Sequence, residues 1–168
     1  MKFHEHIIRA SIPELPFQLT REALARGIAG FARHPEHYIE EVSGSRITSS
    51  ETVGAEPGSV VFGREIRFGA LVFEERIELT AAGDYRAHVE ADGPRPASDF
   101  TMTIEEPELG SLFVRFTYHE DRPEAPETSL EERQLAQLRR LAYESKDRSI
   151  LSKILEDLIE EHASGRPA

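Results

Sequence analysis

Four side chains in this sequence have the types and spacing to act on one small molecule: Arg64, Glu75, Tyr143 and Asp147. A carboxylate can serve as a general base and a phenol as a proton donor, while a guanidinium can stabilise an enolate or hold a carboxylate. Glu75 and Asp147 are therefore the candidate catalytic groups. The loop Gly69-Ala70 has glycine first, which suits a two-residue type II′ turn and sets Phe68 opposite Leu71. Ile66 then faces Phe73, Arg64 faces Glu75 and Phe62 faces Ile77. Alternate residues of a strand share a face, so Arg64 and Glu75 are cross-strand partners on an otherwise apolar inner face. If the next loop is Ala81-Ala82-Gly83, Ile77 meets Ala87 and Glu75 meets Val89, leaving Glu75 no second basic neighbour there. Charges that face inward are costly unless paired or wet. The pair thus reads as a buried ion pair pinning strand register, as cavity groups holding the polar part of a ligand, or as a β-bulge turning both outward.

Tyr143 and Asp147 belong to a helix that begins at Ser129, which forms a capping box with Glu132. Leu135, Leu138, Leu141 and Ala142 make one stripe of that helix, and Ile150, Leu151, Ile154, Leu155 and Leu158 centre on nearly the opposite side. One straight helix cannot lay both on the same sheet. Either it kinks near Ser145-Lys146-Asp147, or its first half packs elsewhere, a second copy of the chain included. The later stripe runs back through Asp147 and Tyr143 to Arg140 and Ala136, which turns Tyr143 and Asp147 toward the sheet. Plainer roles are a core aromatic with a bonded hydroxyl for Tyr143 and a helix N-cap at the kink for Asp147.

The rest of the chain supplies the frame. Residues 2–10 alternate as a first strand, which Pro13 and Pro16 bar from continuing. Thr20 is a helix N-cap, Leu24, Ile28 and Phe31 form an apolar stripe, and Gly27 and Gly30 mark close packing. That helix stops at His34-Pro35, with a further short turn at His37-Tyr38-Ile39. Period-two segments near 42–51, 60–68, 71–79, 85–91, 99–106 and 111–119 predict strands. Residues 120–128 form an acidic, proline-bearing linker expected to be mobile. The order strand, helix, six strands, long helix predicts one α+β domain, a sheet of about seven strands with helices on one face.

Composition removes several function classes. The 168 residues carry a formal net charge of −11 and no basic cluster, which argues against nucleic acid. No apolar run approaches the ~18 residues of a membrane span, and the charged opening MKFHEHIIRA is unlike a secretory signal, so a cytoplasmic protein is expected. The absence of cysteine rules out a thiol nucleophile and disulfides. His34 and His37 stand three apart with no convincing third ligand, so neither a metal nor a cofactor is expected. His4 and His6 point to one side of a strand whose neighbours the sequence does not identify. Neither a nucleophile elbow nor a Gly-rich phosphate loop occurs.

Met1-x-Phe3-x-x-His6, Leu19-Thr20-Arg21-Glu22 with Gly27 and Pro35, and Arg64-Glu65-x-x-Phe68-Gly69 together resemble a known family. So do Met102-Thr103-Ile104-Glu105-Glu106-Pro107, Phe116-x-Tyr118, and Ala142-Tyr143 with Asp147. The resemblance is to proteins related to the acetylaranotin biosynthesis cluster protein AtaL, in the START/Bet v 1-like (SRPBCC) superfamily with its polyketide cyclases. Two departures stand out: the family commonly has Trp near the position of Ala25, and segment 120–140 is longer and more charged. The resemblance implies a helix-grip fold with a hydrophobic cavity between sheet and long helix. It implies no single activity, because that superfamily holds lipid carriers, hormone receptors and cyclases alike. The leading expectation is a cavity that binds a small apolar molecule with one polar group, lined by Arg64, Glu75, Tyr143, Asp147, Phe62, Ile66, Phe73 and Phe116. The alternatives are a cyclase or dehydratase using the same acid–base groups, and a homodimeric interaction domain joined through the Leu135, Leu138 and Leu141 stripe.

Overall fold

Alternating side chains become one curved antiparallel sheet in the computed structural model, which describes residues 1–165. The strands are β1 (Lys2–Arg9), β2 (Gly44–Ile47), β3 (Thr52–Val53), β4 (Val60–Phe68), β5 (Leu71–Leu79), β6 (Tyr85–Val89), β7 (Ser98–Glu108) and β8 (Ser111–Glu120). The helices are α1 (Arg21–Arg33) and α2 (Leu130–Ala163). Hydrogen bonding orders the sheet β1-β8-β7-β6-β5-β4-β2, with β3 also on β4. Strands β4 to β8 are a meander in which each pairs with the next, and β1 closes the far side against β8. No helix among the described residues is long and apolar enough to cross a membrane.

The expected strand at 42–51 shortens to Gly44–Ile47, and a further two-residue strand, Thr52–Val53, lies just past its end, which makes eight strands rather than seven. Gly44–Ile47 pairs with Arg64–Arg67, and Thr52–Val53 pairs with Val60–Val61. Between them Ser49 Oγ accepts from the Gly63 amide at 2.7 Å, so a side chain takes over one ladder bond and the backbone detours.

The β4–β5 hairpin has the register expected from its turn. Gly69 has φ +62° and Ala70 a negative φ, as a type II′ turn requires. Phe68–Leu71, Ile66–Phe73, Arg64–Glu75 and Phe62–Ile77 are paired, and Ile77 meets Ala87 on the next strand. The β5–β6 ladder stops at Arg76–His88 while Val89 pairs onward with Ser98, so Glu75 stands just beyond its end. The regular register leaves no bulge to turn Arg64 and Glu75 outward.

Helix α1 is capped by Thr20, whose hydroxyl accepts from the Ala23 amide at 3.1 Å. Its buried stripe is Leu24, Ile28 and Phe31. Gly27 is needed where α1 crosses α2, because a Cβ there would fall 2.3 Å from Ile154 Cγ2. A single 3₁₀ turn, Pro35–His37, follows the helix.

Helix α2 is one unbroken element with the Ser129–Glu132 capping box in place. The helix is not interrupted near Ser145-Lys146-Asp147, and Asp147 lies mid-helix rather than at an N-cap. Ile150, Leu151, Ile154, Leu155 and Leu158 are buried, whereas Leu135, Leu138 and Leu141 are exposed. The two stripes are thus separated by rotation around a continuous helix. Glu120 is the last residue of β8 and buried, so the exposed linker starts at Asp121.

Candidate ligand site

Arg64 is held from four sides at 1% exposure. Its Nε and Nη2 reach Glu75 Oε1 at 2.9 and 2.8 Å. Nη1 donates to the Ala32 carbonyl at 2.7 Å, and Nη2 also donates to the Tyr85 hydroxyl at 2.8 Å. The guanidinium lies 5.8 Å from the ring centres of Phe31 and Tyr85. This guanidinium therefore ties the central strands to the end of α1 as well as to its cross-strand partner. Both members of the pair also border a pocket of about 350 Å³ between the sheet and α2.

The pocket wall is mostly apolar and aromatic, with Ile66, Phe73, Val89, Phe100, Tyr118 and Tyr143 contributing. Of the residues expected to line a cavity, Arg64, Glu75, Ile66, Phe73 and Tyr143 border it. Phe62, Phe116 and Asp147 are instead enclosed in the core at 2%, 0% and 0% exposure. Phe62 lies under the Arg33 guanidinium, 5.6 Å from ring centre to Cζ, and Phe116 stacks on His6 at 5.2 Å. The Tyr143 hydroxyl accepts from Arg139 Nε at 2.9 Å, and its ring stacks on Tyr118 at 3.9 Å and 5°.

Asp147 looks toward β1 and β8. Its Oδ1 accepts from the Tyr118 hydroxyl at 2.7 Å, and Oδ2 lies 2.7 Å from His6 Nε2. His6 is part of a second polar layer, stacked on His4 at 5.4 Å, and His4 Nε2 meets Glu144 at 3.2 Å. The strand neighbours of these histidines are residues of β8, His4 opposite Tyr118 and His6 opposite Phe116. The Tyr118 ring lines the pocket while its hydroxyl is committed to Asp147, which does not itself border the pocket.

Sequence reasoning missed several pocket residues, among them Arg95, Phe100, Tyr118 and, on α2, Arg139 and Lys146. Lys146 Nζ stands 3.9 Å from the Phe100 ring centre, 4.9 Å from Tyr118 and 5.6 Å from Tyr143. Burial pushes its pKa below the ordinary lysine value, against the opposing pull of Asp147 and Glu75. The spacing signal was available. Lys146 follows Tyr143 by three and precedes Ile150 by four, the helical neighbours of one face.

Among the described residues no group of three His, Asp or Glu side chains gathers at metal-binding geometry. His34 and His37 contact Glu36 at 3.5 Å and Asp157 at 3.0 Å respectively.

The tyrosines give the fold an alkaline limit. Burial raises the pKa of Tyr85, and burial together with the Asp147 carboxylate raises that of Tyr118. Tyr38 is pushed up to about 12 by burial and by neighbouring Asp157. A phenol whose folded pKa exceeds its unfolded value of about 10 stabilises the fold below that pH and loses the contribution as pH rises. Above pH ~10, phenolate absorbance from Tyr85 and Tyr118 is expected to appear together with loss of far-UV ellipticity. Full ionisation of both while the fold persists would contradict this environment.

The family model described as acetylaranotin biosynthesis cluster protein L matches residues 9–158 of the chain. No curated protein sequence matches it. Several solved structures share its fold at low identity. TTHA0849 from Thermus thermophilus is 14% identical with a TM-score of 0.57, the match covering 92% of this chain and 96% of that one. The ZhuI aromatase/cyclase from Streptomyces sp. R1128 is 12% identical with a TM-score of 0.54, covering 98% of both chains. A START superfamily protein from Mycobacterium smegmatis is 15% identical with a TM-score of 0.52, covering 94% of this chain and 97% of that one.

Proposed function

The chain belongs to the acetylaranotin biosynthesis cluster protein L family, with a START/Bet v 1 helix-grip fold, and from that premise we propose that it binds a small, largely apolar aromatic molecule between sheet and α2. The observation that carries this reading is the pocket itself. About 350 Å³ of space is bordered mostly by aromatic and aliphatic side chains, with four cationic and three acidic ones set among them. Ligand sites have this composition, because apolar walls supply affinity and a few polar groups supply orientation. The volume lies at the small end of the range for such sites, roughly 300–1,000 Å³, which suits a ligand of one to three rings.

Native mass spectrometry of the protein purified without denaturation is the direct test, with an adduct that disappears on unfolding as the expected result. A neutral fluorescent probe, N-phenyl-1-naphthylamine, tests the site independently. Val89 borders the pocket at the end of β6 and is only partly buried, so Val89→Phe places a ring in the space without replacing a fully buried side chain. The substitution is expected to weaken probe binding about tenfold or more, since a filled pocket excludes the ring that wild type accepts. Affinity unchanged by Val89→Phe, with no adduct in the native spectrum, would remove the case for this site.

A further inference from the structure

Four cationic side chains border the pocket: Arg64, Arg95, Arg139 and Lys146. Its three acids are Glu75, Asp99 and Glu120. All three acids are already engaged. Glu75 pairs with Arg64 at 2.8 Å, Glu120 pairs with Arg139 and Arg122, and Asp99 is held by Arg86 at 2.8 Å and His88 at 3.0 Å. Arg95 and Lys146 are left over. The carboxylate beside Arg95 is Asp92, at 3.9 Å and largely in solvent. The carboxylate beside Lys146 is Asp147, at 3.8 Å and already accepting from Tyr118.

Two details show that these cations lack what they need. Arg95 Nε is buried without a hydrogen-bond partner, and Arg95 stacks 4.9 Å over the Phe73 ring. Lys146 Nζ lies over the Phe100 ring with ring faces as its close neighbours and an ion-pair contact too long for a hydrogen bond. An ammonium and a guanidinium N–H in a pocket wall, each without an acceptor, are sites where an incoming anion gains charge-assisted hydrogen bonds. The rings beside them supply flat apolar surface of the kind an aromatic body needs.

We propose that the ligand of this pocket is an aromatic acid, its rings against Phe73, Phe100 and Tyr143 and its anionic group bound by Lys146, with Arg95 adding a second positive charge. This rests on the pocket being a ligand site, and it adds the charge and the residues that select it. Neutral aromatic molecules of the same skeleton enter the same space but leave the two cations unsatisfied.

The test uses a matched pair of fluorescent probes, 8-anilinonaphthalene-1-sulfonate and the uncharged N-phenyl-1-naphthylamine, titrated into the full chain. Lys146→Met is expected to weaken the sulfonate about ten- to thirtyfold while leaving the neutral probe within about threefold, because only the sulfonate loses a charge-assisted bond. Lys146→Arg is expected to retain most of the sulfonate affinity. Arg95→Met shifts the ratio of the two affinities in the same direction by a smaller factor, and it serves as the deciding variant should Lys146→Met fail to fold. An unchanged ratio in the folded variants, with the neutral probe still bound, overturns the anion assignment and leaves the pocket reading standing. Binding of neither probe to wild type removes both.

Discussion

Replacing Arg64 with methionine is expected to destabilise the fold by about 3 kcal/mol, which for a chain of this length lowers the melting temperature by roughly 6–12 °C. Three groups lose their donor at once: the Glu75 carboxylate, the Ala32 carbonyl and the Tyr85 hydroxyl. Breaking a buried ion pair from one side costs about 3–5 kcal/mol, because the surviving charge keeps its desolvation cost without compensation. The lower end applies here, since Glu75 retains 11% side-chain exposure on the pocket and water can reach it. The double variant Arg64→Met/Glu75→Leu is then expected to be more stable than the single one, because it removes the stranded carboxylate together with its partner. Urea unfolding reads both effects as shifts in midpoint at constant slope. A loss below about 1 kcal/mol for Arg64→Met would mean that the guanidinium serves something other than the fold.

That pair is legible in the sequence because its information is local. A glycine-first turn fixes the register of both flanking strands, and register decides which side chains meet. The stretch at 42–51 misled for the opposite reason. Its alternation is real, but whether a strand stays paired depends on a side chain, Ser49, that substitutes for a backbone acceptor. Asp147 was read as facing the sheet, and it does, yet its partners come from β1 and β8, more than a hundred positions apart along the chain. No spacing rule could pair His6 with it. Lys146 does not stand out in the sequence, because lysines on long helices are ordinarily solvated. Adjacent helix positions differ by about 100°. Asp147 therefore turns to the core under β8, while Lys146 turns to the pocket over β7. The leucines at 135, 138 and 141 are exposed while the later stripe is buried, and the helix runs through both without interruption.

Asp147 separates a structural carboxylate from a ligand-binding one, because the two roles predict opposite results for its amide. Asp147→Ala is expected to cost about 3 kcal/mol, since it strands the buried Tyr118 hydroxyl and takes the partner from His6. Asp147→Asn keeps an acceptor for Tyr118 and a polar atom beside His6, so about 1 kcal/mol is expected. In a Tyr118→Phe background the alanine variant is expected to cost less than in wild type. The hydroxyl that it would strand is already gone, and the difference measures the coupling. Binding of N-phenyl-1-naphthylamine is expected to be the same in Asp147→Asn and wild type, because Asp147 does not border the pocket and its carboxylate is engaged by Tyr118 and His6. Loss of probe binding in a fully stable Asp147→Asn would reverse that conclusion and return Asp147 to the ligand. The geometry favours the first outcome: both oxygens are occupied at 2.7 Å, and the side chain has no exposed surface. A carboxylate so enclosed fixes α2 against β1 and β8, and in doing so it holds the neighbouring Lys146 in the pocket wall.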